Sequence, residues 1–162
     1  MRRTPRGDAE FDLARLLRER PRSVAEVRER LARRGHDESA IERTVRAALD
    51  SGSLDDRQFA KLWVVDRLFH HPLSRAAVTR ELEDKGVAPA VIDAALAQEY
   101  PAVRETEVAR ELAAERYARL SRTGIDRERC RGRTADYLTR RGFSVGLARE
   151  MVRQVERTIG DG

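Results

Sequence analysis

The 162 residues are 40% apolar and 38% charged, enough for thin cores between helices and too little for one large globule. No apolar run approaches the roughly 20 residues of a bilayer span, and a single cysteine, Cys130, excludes an intrachain disulfide. Formal net charge is +5 with a pI near 10.1, and only Lys61 and Lys85 among the 33 basic residues are lysines.

The opening Met1–Gly7 is basic without an apolar segment behind it, so it does not read as a secretory signal. Residues 1–8 read as a disordered basic arm. A first helix follows from Phe11 to Arg20, with Phe11, Leu13, Leu16 and Leu17 as its apolar side, and Pro21 stops it. Ser23 with Glu26 three residues later forms a capping box, and Val24, Val27 and Leu31 then make one helical stripe. Gly35 closes that helix in the left-handed conformation, and Asp37 caps a third with Ile41, Val45, Ala48 and Leu49 inward.

After Ser51-Gly-Ser53, Asp55 and Gln58 offer a second capping box. The helix beyond it carries Phe59, Ala60, Leu62, Trp63, Val64, Val65, Leu68 and Phe69 around most of its circumference, which predicts burial on several sides. His70-His71-Pro72 closes it. Ser74 opens a helix through Val78 and Leu82 to Gly86, and Pro89 stands in the first turn of the next, with Ile92 and Leu96 inward. Pro101 starts a long helix through Val108, Leu112, Tyr117 and Leu120, with a break at Ser121–Gly124. Asp126 caps a helix bearing Cys130, Thr134, Tyr137 and Leu138. Gly142-Phe143 turns the chain, and Ser144 caps a last helix with Leu147, Ala148, Met151, Val152 and Val155.

One phrase recurs three times: Leu31-Ala-Arg-Arg-Gly35, Leu82-Glu-Asp-Lys-Gly86 and Leu138-Thr-Arg-Arg-Gly142. Apolar residues return at matched offsets after each glycine, at Ile41 and Val45, Ile92 and Leu96, and Ala148 and Val152. A long period with helical spacing inside it marks a helical repeat array. The expected fold is all-α: three tandem three-helix repeats over 9–52, 53–99 and 100–159, forming an elongated, curved helical array. Such arrays present a long surface to a partner rather than housing a catalytic centre.

Leu54-Asp-Asp-Arg-Gln-Phe-Ala60 followed by Trp63 and Arg67 resembles the signature that opens the second module of the RecX family of recombinase regulators. Leu82-Glu-Asp-Lys-Gly86-Val and Arg140-Arg-Gly142-Phe143 resemble two further phrases of that family, in the same order along the chain. The resemblance runs from about Phe11 to Glu156. It implies three tandem three-helix repeats and a non-enzymatic protein. It also implies binding to the RecA recombinase, chiefly its filament on single-stranded DNA, with inhibition of ATP hydrolysis, strand exchange and coprotease activity. DNA repair and the SOS response are the processes affected. The chain departs from the family in its scarcity of lysine, in Cys130 and in the break at Ser121–Gly124.

Charge singles out the third module. From Arg116 to Arg141 nine arginines face Asp126, Glu128 and Asp136, an excess of +6, whereas Asp8–Ala60 holds eleven basic and twelve acidic residues. Candidate partner or polyanion residues are Arg127, Arg129, Arg131, Arg133, Arg140, Arg141, Arg149 and Arg153, the last two on a ridge with Arg157. A solvated face is the alternative. Arginine's planar fork suits phosphate and carboxylate alike.

Asp55 reads as a helix cap, Asp56 is open between cap and contact, and Phe59 and Trp63 read as core. Arg67 has Asp66, Glu83 or a partner within reach. His36, His70 and His71 lack metal-ligand spacing, and no phosphate loop or nucleophile motif occurs. The helix–glycine–helix pattern invites a helix-turn-helix reading. However, Arg43 and Arg46 are balanced by Glu38, Glu42 and Asp50, and Pro89–Gln98 has no basic residue.

The expectation is a monomeric, cytoplasmic negative regulator of RecA without cofactors, metal or membrane attachment, with weak direct DNA binding. The alternatives are a general nucleic-acid-binding helical module acting without RecA, and an adaptor for another helical protein.

Overall fold

A computed structural model of the chain describes residues 8–160; the expected basic arm lies outside them except for Asp8. Those residues form nine α-helices and no strand: α1 Ala9–Glu19, α2 Val24–Arg33, α3 Glu38–Asp50, α4 Asp56–Phe69, α5 Arg75–Asp84, α6 Pro89–Glu99, α7 Ala102–Ser121, α8 Arg127–Arg140 and α9 Val145–Gly160. The all-α fold is as expected. None of these helices is long and apolar enough to cross a membrane.

The chain divides into two compact units, the first holding residues up to Trp63 with Glu81–Ala95, the second holding Val64–Arg80 with Leu96 onward. The division falls inside α4, α5 and α6.

In the first unit, α1, α2 and α3 pack on one another. Asp8, Ser23 and Asp37 cap them by accepting from the backbone N–H of Glu10, Glu26 and Ala40, and Ser23 with Glu26 completes the expected capping box. Leu13 and Leu16, Val27 and Leu31, and Ile41, Val45 and Ala48 form one core, which Leu54 joins from the following turn. Each buried leucine or valine contributes about 1.5–3 kcal/mol through water exclusion.

Two sequence expectations fail here. Phe11 is 60% exposed, and Asp12, not Phe11, lies inside. Asp12 is tolerated there because Arg34 and His36 both hydrogen-bond its carboxylate. Burial alone would raise the Asp12 pKa, but those two partners outweigh it and hold the carboxyl below its ordinary range. Leu49 is likewise exposed, and Thr44 takes an inward position on α3.

The helix α4 is less enclosed than its composition suggests. Phe59, Ala60, Val64 and Leu68 are buried, but Leu62 and Phe69 are 44% and 64% exposed. The row 60, 64, 68 follows helical spacing with Phe59 beside its start, and Leu62 and Phe69, off that face, reach solvent.

In the second unit α7, α8 and α9 pack on one another. Ala109 and Ala113 are fully buried on α7, where small side chains permit close approach. Ser74, Asp126 and Ser144 accept from the N–H of Ala77, Arg129 and Leu147 as expected of caps. Tyr100 is fully buried and donates to the Leu73 carbonyl at 3.0 Å.

The recurring glycines sit in matched joints. In the first unit Gly86 has φ +74 and lies against Ala25 of α2; the carbonyl just before it, of Lys85, accepts from Ser23 Oγ at 2.6 Å. In the second unit Gly142 has φ +90 and lies against Ser74 and Ala77; the carbonyl before it, of Arg141, accepts from the Ser74 N–H at 2.9 Å. An acid completes each joint. Asp56 Oδ1 accepts from the Val24 N–H at 2.9 Å, and Glu105 Oε1 accepts from the Arg75 N–H at 2.8 Å.

Candidate nucleic-acid interface on α8 and α9

Asp126 fixes the start of α8, and Cys130, Thr134 and Leu138 form its buried row. With 100° between successive residues, that row sends Arg127 and Arg131 to one flank and Arg129, Arg133 and Arg140 to the other. On α9, burial of Ala148, Met151, Val152 and Val155 leaves Arg149, Arg153 and Arg157 exposed one turn apart.

The first flank of α8 meets the ridge of α9. Arg127, Arg131, Arg153, Glu156 and Arg157 line an open cleft of ≈ 280 Å³. Glu156 is its one acid and is firmly held: Tyr117 Oη donates to Oε1 at 2.9 Å, and Arg131 Nε donates to the same oxygen at 2.7 Å. Burial pushes the Glu156 carboxyl up, but the bonds from Arg131 and Tyr117 and the charge of Arg127 win, so its pKa lies below the ordinary value. Burial and the adjacent carboxylate raise the Tyr117 hydroxyl. Glu156 therefore stays ionised and orients Arg131 rather than cancelling the cleft. Among the described residues, the side chains of Arg127, Arg153 and Arg157 make no hydrogen bond and have no carboxylate at ion-pair distance. The cleft carries four guanidinium groups against one carboxylate.

Arg129, Arg133 and Arg140 form a separate exposed stripe, with Arg129 3.4 Å from Asp126. Arg141 belongs to neither group. It donates to the Pro72 carbonyl at 2.7 Å and lies over the Tyr137 ring at 4.6 Å, a packing role at the Gly142 joint.

The residues of the Leu54–Arg67 phrase are mainly architectural. Leu54, Phe59 and Ala60 are buried. Asp55 Oδ1 accepts from the Arg57 N–H at 2.8 Å, which makes it a cap; among the described residues no side-chain hydrogen bond of Gln58 completes the expected box. Asp56 bonds back to α2 as described. Burial raises its pKa, the Val24 N–H opposes that, and the Asp55 charge adds to it. Trp63 is only half-buried. It stacks on Phe59, donates Nε1 to Glu81 at 2.8 Å and carries the Lys85 ammonium 4.3 Å from its ring centre. Arg67 pairs with Asp66 at 2.7 Å. Gly86, Gly142 and the buried Phe143 form the turns.

The sequence marked the arginines of α8 and of α9 separately. Their convergence, and the part played by Glu156 and Tyr117, depend on contacts 25 and 39 residues apart. The one trace in the sequence is a single acid set between Arg153 and Arg157.

Comparison with known proteins is consistent along the chain. Residues 14–46 match the family model for the first three-helix domain of RecX, and residues 55–96 match that for the second. The regulatory protein RecX of Streptomyces coelicolor is 37% identical over 159 residues, covering 98% of this chain and 83% of that protein. This chain belongs to the RecX family. The regulatory protein RecX of Amycolatopsis mediterranei is 36% identical over 146 residues, covering 90% of this chain and 81% of that one. Among solved structures, RecX from Lactobacillus salivarius superposes with a TM-score of 0.77 at 18% identity, covering 91% of this chain and 94% of its own. A second RecX structure gives 0.73 at 22% identity, covering 90% and 70%. At those identities the superpositions establish the RecX fold, and the sequence relatives establish the family and a regulatory role.

Proposed function

We propose that this chain is a negative regulator of the RecA recombinase. It binds the groove of the RecA filament on single-stranded DNA and inhibits ATP hydrolysis, strand exchange and coprotease activity, which affects DNA repair and the SOS response. The observation that carries this reading is the match of 98% of the chain to a relative named regulatory protein RecX. The RecA partner itself comes from the family resemblance of the Leu54–Arg67, Leu82–Val87 and Arg140–Phe143 phrases.

In this reading the protein acts as a cytoplasmic monomer with no catalytic centre and no cofactor. Residues 9–52, 53–99 and 100–159 serve as three three-helix repeats, and the arginines of α8 and α9 meet phosphate or acidic protein surface. Regulation requires only that the protein bind one filament state better than another. The test is RecA ATP hydrolysis on single-stranded DNA with this protein titrated in, beside DNA binding without RecA at the same salt. Inhibition below one protein per recombinase subunit, with weak naked-DNA binding, is the expected result.

The basic cleft favours a second reading, a general nucleic-acid-binding module. Inhibition that merely tracks competition for DNA would support it over the first.

A further inference from the structure

We infer that the cleft between α8 and α9 is a phosphate clamp for the backbone of single-stranded nucleic acid, and that the Arg129–Arg133–Arg140 stripe is not. The inference deepens the regulator reading by naming what these arginines touch, and rests on it only for which strand is met in the cell.

Three observations carry it. Arg127, Arg153 and Arg157 converge on one cleft without a carboxylate at ion-pair distance among the described residues, while in the stripe Arg129 has Asp126 beside it and the exposed Asp136 stands three residues after Arg133 and four before Arg140, on the same helix face. Arg131 is held by Nε on Glu156, which leaves its terminal nitrogens for a ligand and fixes the plane of the fork. Glu156 is itself fixed by Tyr117, so the arrangement is built in the free protein rather than assembled by the ligand.

The class of ligand follows from charge and spacing. Four guanidinium groups and one carboxylate leave an excess of three positive charges, more than a single carboxylate offsets. Arg153 and Arg157 are one turn apart, a rise of about 6 Å, similar to the step between successive phosphates of an extended strand. Each phosphate presents several acceptor oxygens and can bridge two forks. Glu156 is committed to Tyr117 and Arg131, and guanidinium contacts to phosphate carry no sequence information, so binding through this cleft should be largely independent of sequence.

The experiment is fluorescence anisotropy of a labelled oligothymidylate with the full chain and no recombinase, as a function of salt. The combined R127A, R153A and R157A variant is compared with the combined R129A, R133A and R140A variant, which removes the same formal charge. Circular dichroism checks that both stay folded. Loss of the cleft arginines should lower affinity at low salt at least tenfold and make the log K against log salt slope shallower by about 2, from roughly 0.7 per phosphate contact. The stripe variant should keep most of the slope. Equal losses in the two variants, or polyglutamate of matched charge competing as well as the oligonucleotide, would overturn the clamp.

RecA ATP hydrolysis measured on the same variants separates the two claims. Wild-type protein that fails to inhibit RecA while the cleft governs DNA binding sinks the regulator reading alone. Wild-type inhibition with DNA binding unmoved by the cleft variant sinks the clamp alone.

Discussion

A β-carbon added to Gly86 would come 2.5 Å from the Ala25 side chain of α2, closer than packed carbons approach. Gly86 also has φ +74, where any other residue is strained. Gly52 has the same φ, yet nothing lies within 4 Å of its β-position. The pair separates conformation from packing. Gly52→Ala should cost about 1 kcal/mol from the left-handed backbone alone. Gly86→Ala should cost about 2–4 kcal/mol, because overpacking adds to it. Urea unfolding checks this, and equal losses at the two positions would show that the joint yields freely.

Asp56 caps α2 from the start of α4, and its two features predict opposite effects for two substitutions. Asp56→Ala removes the acceptor of the Val24 N–H and should cost about 1 kcal/mol. Asp56→Asn keeps an acceptor and removes a charge that burial disfavours, so it should match or exceed wild type at neutral pH. The folded pKa is raised, so the cost of ionisation is present above that pKa and vanishes below the unfolded value of 3.8. The advantage of Asn over Asp should therefore shrink on acidification through that window. Thermal melts of the three proteins from pH 7 to pH 3 provide the check.

Arg140 and Arg141 are neighbours with different surroundings. Arg141 spans to the Pro72 carbonyl and covers Tyr137, whereas Arg140 is exposed. Arg141→Ala should destabilise the protein by about 1–3 kcal/mol through the lost charged hydrogen bond and ring contact. Arg140→Ala should leave the urea midpoint nearly unchanged. Equal midpoints for both variants would contradict the packing role.

Helix ends were legible because their signals are local: Ser23 and Glu26 are three residues apart and bond each other's backbone. The repeat glycines were legible for the same reason, since a left-handed turn is written in one residue. Burial was less so. Phe11 points out and Asp12 in because Arg34 and His36, more than 20 residues on, neutralise the acid. The candidate site shows the same limit. Local charge density marks α8, but it cannot separate Arg127, which lines the cleft with α9, from Arg129, or from Arg141, committed to Pro72. Tertiary contact makes those distinctions, and helical phase alone only narrows them.

Glu26 joins α2 to the Gly86 joint. It accepts from Arg20, from the Ser23 N–H and from Lys85, the last at 3.2 Å. Burial raises its pKa, but these donors outweigh it, and the folded value lies below the unfolded 4.5. The stabilisation is therefore complete above pH 4.5 and is lost as pH falls through the folded value. Glu26→Gln removes the charge while keeping an acceptor for Ser23. It should cost about 1 kcal/mol at pH 7, and the gap from wild type should close in acid. Trp63 is the only tryptophan and lies beneath Lys85, so its fluorescence reports this joint. Urea titrations followed by that signal at pH 7 and in acid would test the linkage. A gap that does not change with pH would mean that Glu26 acts through its shape rather than its charge.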